Sequence, residues 1–227
     1  MTVSRAVART LAGGLTALSL TACLGVREPE TAAPPASPPG TAAPETTPPA
    51  QAAPSGWKTV GGPDNGVRIS IPEGWVDIAI SNGEAASGLD RLGLKGADRE
   101  VMMRSISQLQ ERKGVFAVLA ASTETPFATN VNALCTPSGG ATLEQVKAAT
   151  RTGLQQIGAR NVQATTATIG GRPGVRATYE MASALGTLSG HQGQVPDGDR
   201  TCTVTVTAKQ GAMPASTGDI LNTMELL

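Results

Sequence analysis

Few side chains in this chain are of a type and spacing that could do chemistry. His191 is the only histidine, so a Ser-His-Asp or Cys-His hydrolase would have to take its base from it. It sits in Ser189-Gly190-His191-Gln192-Gly193, a polar, glycine-flanked run that predicts an exposed loop rather than a held catalytic geometry. Gly186-Thr187-Leu188-Ser189-Gly190 lacks the central serine of a nucleophile elbow. One histidine and two distant cysteines, Cys135 and Cys202, cannot fill a tetrahedral zinc shell. Asp197-Gly198-Asp199 lacks the length and the terminal glutamate of a calcium loop and reads as a hairpin turn. Gly61-Gly62-Pro63-Asp64-Asn65-Gly66 also reads as a turn, because no phosphate-loop Lys-Ser/Thr follows it. Glu73, Asp77, Glu84 and Asp90 remain as carboxylates that a hydrolase would need to bring together in space. The expectation is a non-enzyme with no catalytic residue, no metal and no cofactor.

The N-terminus carries an address. Arg5 and Arg9 precede a short apolar run from Leu11 to Leu20, the layout of an export signal. That run is too short and too rich in glycine to favour spanning an approximately 30 Å hydrocarbon core. Leu20-Thr21-Ala22-Cys23 resembles the bacterial lipobox, which implies cleavage after residue 22 by signal peptidase II and a diacylglycerol thioether on Cys23. Two or more acyl chains, palmitate among them, anchor stably where one is marginal. The expected location is the extracytoplasmic face of the cell membrane. In that oxidising compartment an even pair of cysteines favours a disulfide between Cys135 and Cys202. Two buried free thiols, or a reactive or metal-binding pair, are the alternatives.

Residues 23–56 change composition abruptly. Nine prolines between Pro29 and Pro54 alternate mainly with Ala, Thr and Glu, and no apolar periodicity offsets the entropy of ordering such a stretch. It reads as a disordered tether, with Thr31, Thr41, Thr46 and Thr47 as candidate O-glycosylation positions. Aromatic residues make up 2% of the chain, and 18 Lys and Arg balance 18 Asp and Glu. With no basic block and few rings to stack on bases, nucleic-acid binding has no support.

From Trp57 to Leu227 the pattern becomes periodic and predicts one α+β domain. Val67–Ile71 alternates as a half-buried strand, and residues 81–97 read as a Gly- and Ser-rich loop. Asp98 is the expected N-cap of a helix presenting Met102, Ile106 and Leu109. Strands follow at 115–121 and 127–136. Thr142 and Gln145 have capping-box spacing, opening a helix with Val146, Thr150, Leu154 and Ile157 on one stripe. Residues 162–169, 174–181 and 201–208 read as three strands, and a last helix runs from about Pro214 to Met224. Neighbouring strands broken by single helices argue for an antiparallel sheet.

Ile71-Pro72-Glu73-Gly74-Trp75, Phe127-Ala128-Thr129-Asn130-Val131-Asn132 and Ile169-Gly170-Gly171-Arg172-Pro173-Gly174 give the domain a resemblance to the actinobacterial Lpq-type lipoproteins, which have a PsbP-like fold. The Ala-, Gly- and Pro-rich usage also resembles that of a high-GC actinobacterium. The resemblance spans about residues 57–227 and implies a twisted antiparallel sheet with helices on its faces. It implies an accessory or binding role. The expected partner is another envelope or exported protein. A lipid or small hydrophobic molecule held under a lid at 81–97 is the alternative.

Overall fold

The computed structural model describes residues 53–80, 84–125 and 127–227, apart from the side chains of residues 97, 98 and 101. The expected signal peptide, the lipobox Leu20, Thr21, Ala22 and Cys23, and most of the tether lie outside the described residues.

Two sheets form, and every pairing in them is antiparallel. The smaller joins β1 (Lys58–Gly62), β2 (Val67–Ile71) and β10 (Glu225–Leu226) in the order β1-β2-β10. The larger takes β3 (Trp75–Asp77), β4 (Val115–Leu119), β5 (Asn130–Pro137), β6 (Arg160–Ile169), β7 (Arg172–Ser183), β8 (Gly186–Asp197) and β9 (Arg200–Lys209). Its spatial order is β3-β4-β5-β9-β8-β7-β6. The helices are α1 (Ala85–Arg91), α2 (Gly96–Glu111), α3 (Leu143–Gln156) and α4 (Thr217–Asn222).

Strand alternation gives the large sheet two different faces. On one, Val131, Ala133, Cys202, Val204 and Val206 pack with Val67, Ile69 and Ile71 of β2 and with Ile220 and Leu221 of α4. The small sheet and α4 therefore close that face. The opposite face is covered in two places. Phe116 and Val118 of β4 pack with Met102, Ile106 and Leu109 of α2. At the other end Val175 and Ala177 of β7 and Ala164 of β6 pack with Val146 and Leu154 of α3. The strip between the two helices carries Thr136, Thr201, Thr203, Gln192 and Gln194.

Several local readings stand. Thr142 accepts from the Gln145 backbone N–H and the Gln145 side chain accepts from the Thr142 N–H, a complete capping box. Thr142→Ala is expected to lower stability by about 1 kcal/mol, read from the urea midpoint; no change would mean that packing alone holds α3. Gly170 and Gly171, both at positive φ, make the two-residue hairpin between β6 and β7.

Other readings are corrected. The loop expected at 81–97 is corrected over 84–97: α1 occupies 85–91, and Ala85, Leu89 and Leu94 are core residues packed with α2. The apolar spacing of Ala85, Leu89 and Leu94 outweighs the local glycine content, so this stretch is a packed element rather than a lid. Helix α2 starts at Gly96 after Lys95, which places Asp98 inside its first turn and not at the cap. Ile157 lies one residue past α3 and is 62% exposed, because the helix ends before the stripe reaches it. The second strand of the middle pair begins at Asn130 rather than Phe127. His191 lies in the middle of β8, paired with Thr178 and Val206, so the late strands number four and not three. The strand is legible only in its partners. The Tyr179 ring lies over Gly190, where a Cβ would come within 2.1 Å of it. Ile169 similarly covers Gly193.

Candidate functional site

The polar strip forms an open groove of about 630 Å³ between α3 and the sheet. Its floor is built by register. Thr136 of β5 faces Thr201 of β9, and Gln194 of β8 faces Thr203. Gln192 lies two residues before Gln194 on the same face, and Ser138 closes one end beyond β5. One turn after another of α3 supplies the wall, through Gln145, Val146, Ala149, Thr150, Gly153 and Leu154. No ionisable side chain and no ring lines the groove.

Hydrogen bonds hold the two floor glutamines in fixed orientations. The Thr150 hydroxyl lies 2.7 Å from the Val146 carbonyl and 2.8 Å from Gln194 Oε1. Gln194 Nε2 donates to Gln192 Oε1 at 2.9 Å, and Gln192 Nε2 donates to Thr205 Oγ1 at 3.2 Å. Two hydroxyls of the groove are left over: Ser138 Oγ and Thr201 Oγ1 are buried with no hydrogen-bond partner among the described residues. Thr201 is only 7% exposed. A buried polar group without a partner costs about 1–3 kcal/mol. Thr201→Val, which keeps the shape and removes the hydroxyl, is therefore expected to raise stability by about 1 kcal/mol, or 2–4 °C in melting temperature. A destabilised variant would show that the hydroxyl has a partner in the folded chain.

The residues singled out in the sequence lie elsewhere. Cys135 and Cys202, directly opposite in register, are joined by a disulfide with Cα atoms 4.0 Å apart. Their sulfurs are on the closed face, while the next pair, Thr136 and Thr201, faces the groove. His191 is on the closed face as well; burial, reinforced by the Arg176 charge, pushes its imidazole below the usual histidine range. Asp197 accepts from Arg172 at 2.8 Å and from Arg200 at 2.9 Å. Burial would raise its carboxyl, but those two hydrogen bonds and charges outweigh it and hold the group below the usual carboxylate range. Asp90 pairs with Arg99 at 2.8 Å on the surface of α1 and α2. Glu73, Asp77, Glu84 and Asp90 all lie outside the groove. Among the described residues no three His, Cys, Asp or Glu side chains are placed to hold a metal ion. Sequence reading missed the groove residues because glutamine and threonine on strands carry no catalytic signature. The threonine alternation of β9 was the only local signal of a polar face.

A scan of protein-family models and a search of curated proteins each found no match. Among solved structures, the chain is similar to PsbP from the cyanobacterium Synechocystis, with TM-score 0.46 and 10% identity over 77% of this chain and 95% of that one. A protein from Bacteroides thetaiotaomicron gives TM-score 0.44 and 10% identity over 76% of this chain and 49% of that one. The chain thus spans about half the length of the Bacteroides protein. A Pseudomonas aeruginosa protein of unknown function gives TM-score 0.35 and 9% identity over 72% of this chain and 90% of that one. The fold defines the class: an α+β domain built on an antiparallel sheet with helices on both of its faces.

Proposed function

We propose that this chain is a membrane-anchored envelope lipoprotein, held through a lipid on Cys23, whose Lpq-type, PsbP-like domain binds other envelope or exported proteins without catalysing a reaction. The anchor rests on the Leu20-Thr21-Ala22-Cys23 resemblance and the tether on the composition of residues 23–56. The observation that carries the binding role is the groove beside α3. Its floor offers oriented amides and unpartnered hydroxyls, and it holds no acid, base or nucleophile poised for a reaction. General acid–base chemistry needs a titrating group within reach of the substrate, and the groove lining supplies none. The alternative of a lipid or small hydrophobic ligand has less behind it, because the floor is polar and α1 is tied into the core.

Two measurements test the reading. Wild-type cells labelled with a palmitate analogue should yield a labelled protein in the membrane fraction. Cys23→Ala should lose the label and leave the membrane fraction; an unlabelled wild type overturns the anchor. A photo-crosslinking amino acid at Ala149, in the groove wall, should give a discrete adduct with another polypeptide in intact cells. The same group at Lys209 should not, and equal labelling from both positions overturns the assignment of the groove.

A further inference from the structure

The large sheet ends on one side in a long strand that has no strand beyond it. β6 pairs with β7 alone, and among the described residues no other backbone group bonds to its outer side. Such an edge is a template for another strand, and folded chains usually blunt it with charge, proline, a bulge or brevity. The other edges of this domain are blunted in those ways. β3 has three residues and closes on Asp77, β10 has two, and β1 opens on Lys58 and runs into Pro63. β6 is different. From Val162 to Ile169 it reads Val-Gln-Ala-Thr-Thr-Ala-Thr-Ile, without a charge, a proline or a glycine, and its register shift lies before Gln163.

The hairpin fixes which main-chain groups face outward. The two-residue turn at Gly170-Gly171 makes Ile169 and Arg172 a hydrogen-bonded pair, and such pairs alternate along an antiparallel ladder. Thr165 and Ala167 therefore bond to β7, whereas Ala164, Thr166 and Thr168 turn their N–H and C=O groups away from it. Two observations agree with this phase. Pro173, which has no N–H to give, stands opposite Thr168. The Ala164 carbonyl accepts from the Arg151 guanidinium of α3 at 3.4 Å, on the side away from β7. That bond is long and Arg151 is exposed, so the N–H of an added strand can displace it.

Three outward residues spaced two apart are matched by a second β6 running antiparallel about a two-fold axis at Thr166, a closed contact between identical surfaces. Thr166 then faces Thr166 of the second copy and Ala164 faces its Thr168, an exchange of about six main-chain bonds. On the opposite face of the strand Thr165 meets Ala167. No like charges oppose each other in this register, and facing threonines pair favourably. The tether of the chain itself is a poor occupant: between Pro29 and Pro54 no more than four residues separate successive prolines, and each proline removes a ladder donor.

We infer that β6 is a self-association edge, through which two copies of this chain join by antiparallel β6–β6 pairing centred on Thr166 and merge their large sheets into one. β7 separates β6 from β8, the nearest strand of the groove floor, so the contact goes beyond the binding role proposed above. It is a small contact, in the weak class below about 1,200 Å².

The test is sedimentation of the full-length protein in excess detergent over a concentration series, where a monomer–dimer equilibrium is expected. Thr166→Pro removes an outward N–H that the monomer leaves unbonded. It should weaken dimerisation about tenfold or more, while the dilute protein melts close to the wild-type temperature. Thr166→Lys and Thr166→Glu should each be monomeric, because the axis sets like charges opposite each other. An equimolar mixture of the two should recover the dimer, which happens only where residue 166 meets its own counterpart. Three results overturn the inference: a monomer throughout the series, a dimer indifferent to Thr166→Pro, or a charge-swapped mixture that stays monomeric. A photo-crosslinker at 166 that captures a different polypeptide and no second copy would also overturn it, by giving the edge to another partner. The Ala149 adduct reports on the groove alone, so the two readings stand or fall separately.

Discussion

Removing the Cys135–Cys202 bond is expected to lower the unfolding free energy by about 4 kcal/mol, or about 8–16 °C in melting temperature. The bond closes a sequence separation of 67 residues, a segment that contains α3 and three strands of the large sheet. In the unfolded chain such a loop is a strong restriction, and the chain-entropy model assigns most of the stabilisation to it. The comparison to make is reduced against oxidised wild type in guanidinium, with Cys135→Ala/Cys202→Ala as a second route. The double variant also loses packing at Cys202, which is fully buried, and should be the less stable of the two reduced forms. A difference under about 1 kcal/mol between oxidised and reduced wild type would overturn the argument. The bond has a second consequence. It fixes the register of β5 on β9 one residue from the Thr136–Thr201 pair of the groove floor. Reduction should therefore shift the backbone amide NMR signals of Thr136 and Thr201 before the domain unfolds globally.

Gly170→Ala should destabilise by a comparable amount, about 2–5 kcal/mol, through two separate effects. Gly170 has φ of +56°, and an added Cβ would lie 1.8 Å from the Met224 carbonyl oxygen. The left-handed conformation alone costs an L-residue about 1–2 kcal/mol. The clash adds more because its partner is backbone. Relieving it moves Met224 and its neighbours Ile220 and Leu221, which are buried in the core of the closed face. Gly198→Ala separates the two effects. Gly198 has φ of +57° in the hairpin between β8 and β9, with nothing within 4 Å of its would-be Cβ. It should lose only the conformational part, about 1–2 kcal/mol. Equal losses at the two positions, measured by chemical denaturation, would remove the contact with Met224 from the account.

Features that depend on neighbours along the chain were legible before any fold was known. The alternation in Val67–Ile71 and in Thr201–Ala208, the Thr142–Gln145 box, and the Gly170-Gly171 hairpin each follow from a few adjacent residues and appear in the fold as expected. The antiparallel α+β class follows from their order. The cysteine pair was legible too, since residues 57–227 hold two cysteines and these admit one bond within the domain. Tertiary structure decided the rest, for reasons that lie at long range. Strand β8 has no apolar alternation, because Tyr179 and Ile169 from other strands fill the space above Gly190 and Gly193. A run that looks like a loop in isolation becomes a sheet interior once those side chains cover it. Helix α1 forms because Leu89 finds a core made by α2 and β4, which the short local sequence does not disclose. The groove depends most on the fold. Thr136, Gln194, Thr201 and Thr203 come from three strands and Thr150 from a helix, and only the register of β5, β9 and β8 sets them side by side. Their arrangement is collective: the hydrogen-bonding groups stand side by side only because the sheet brings them together beside α3.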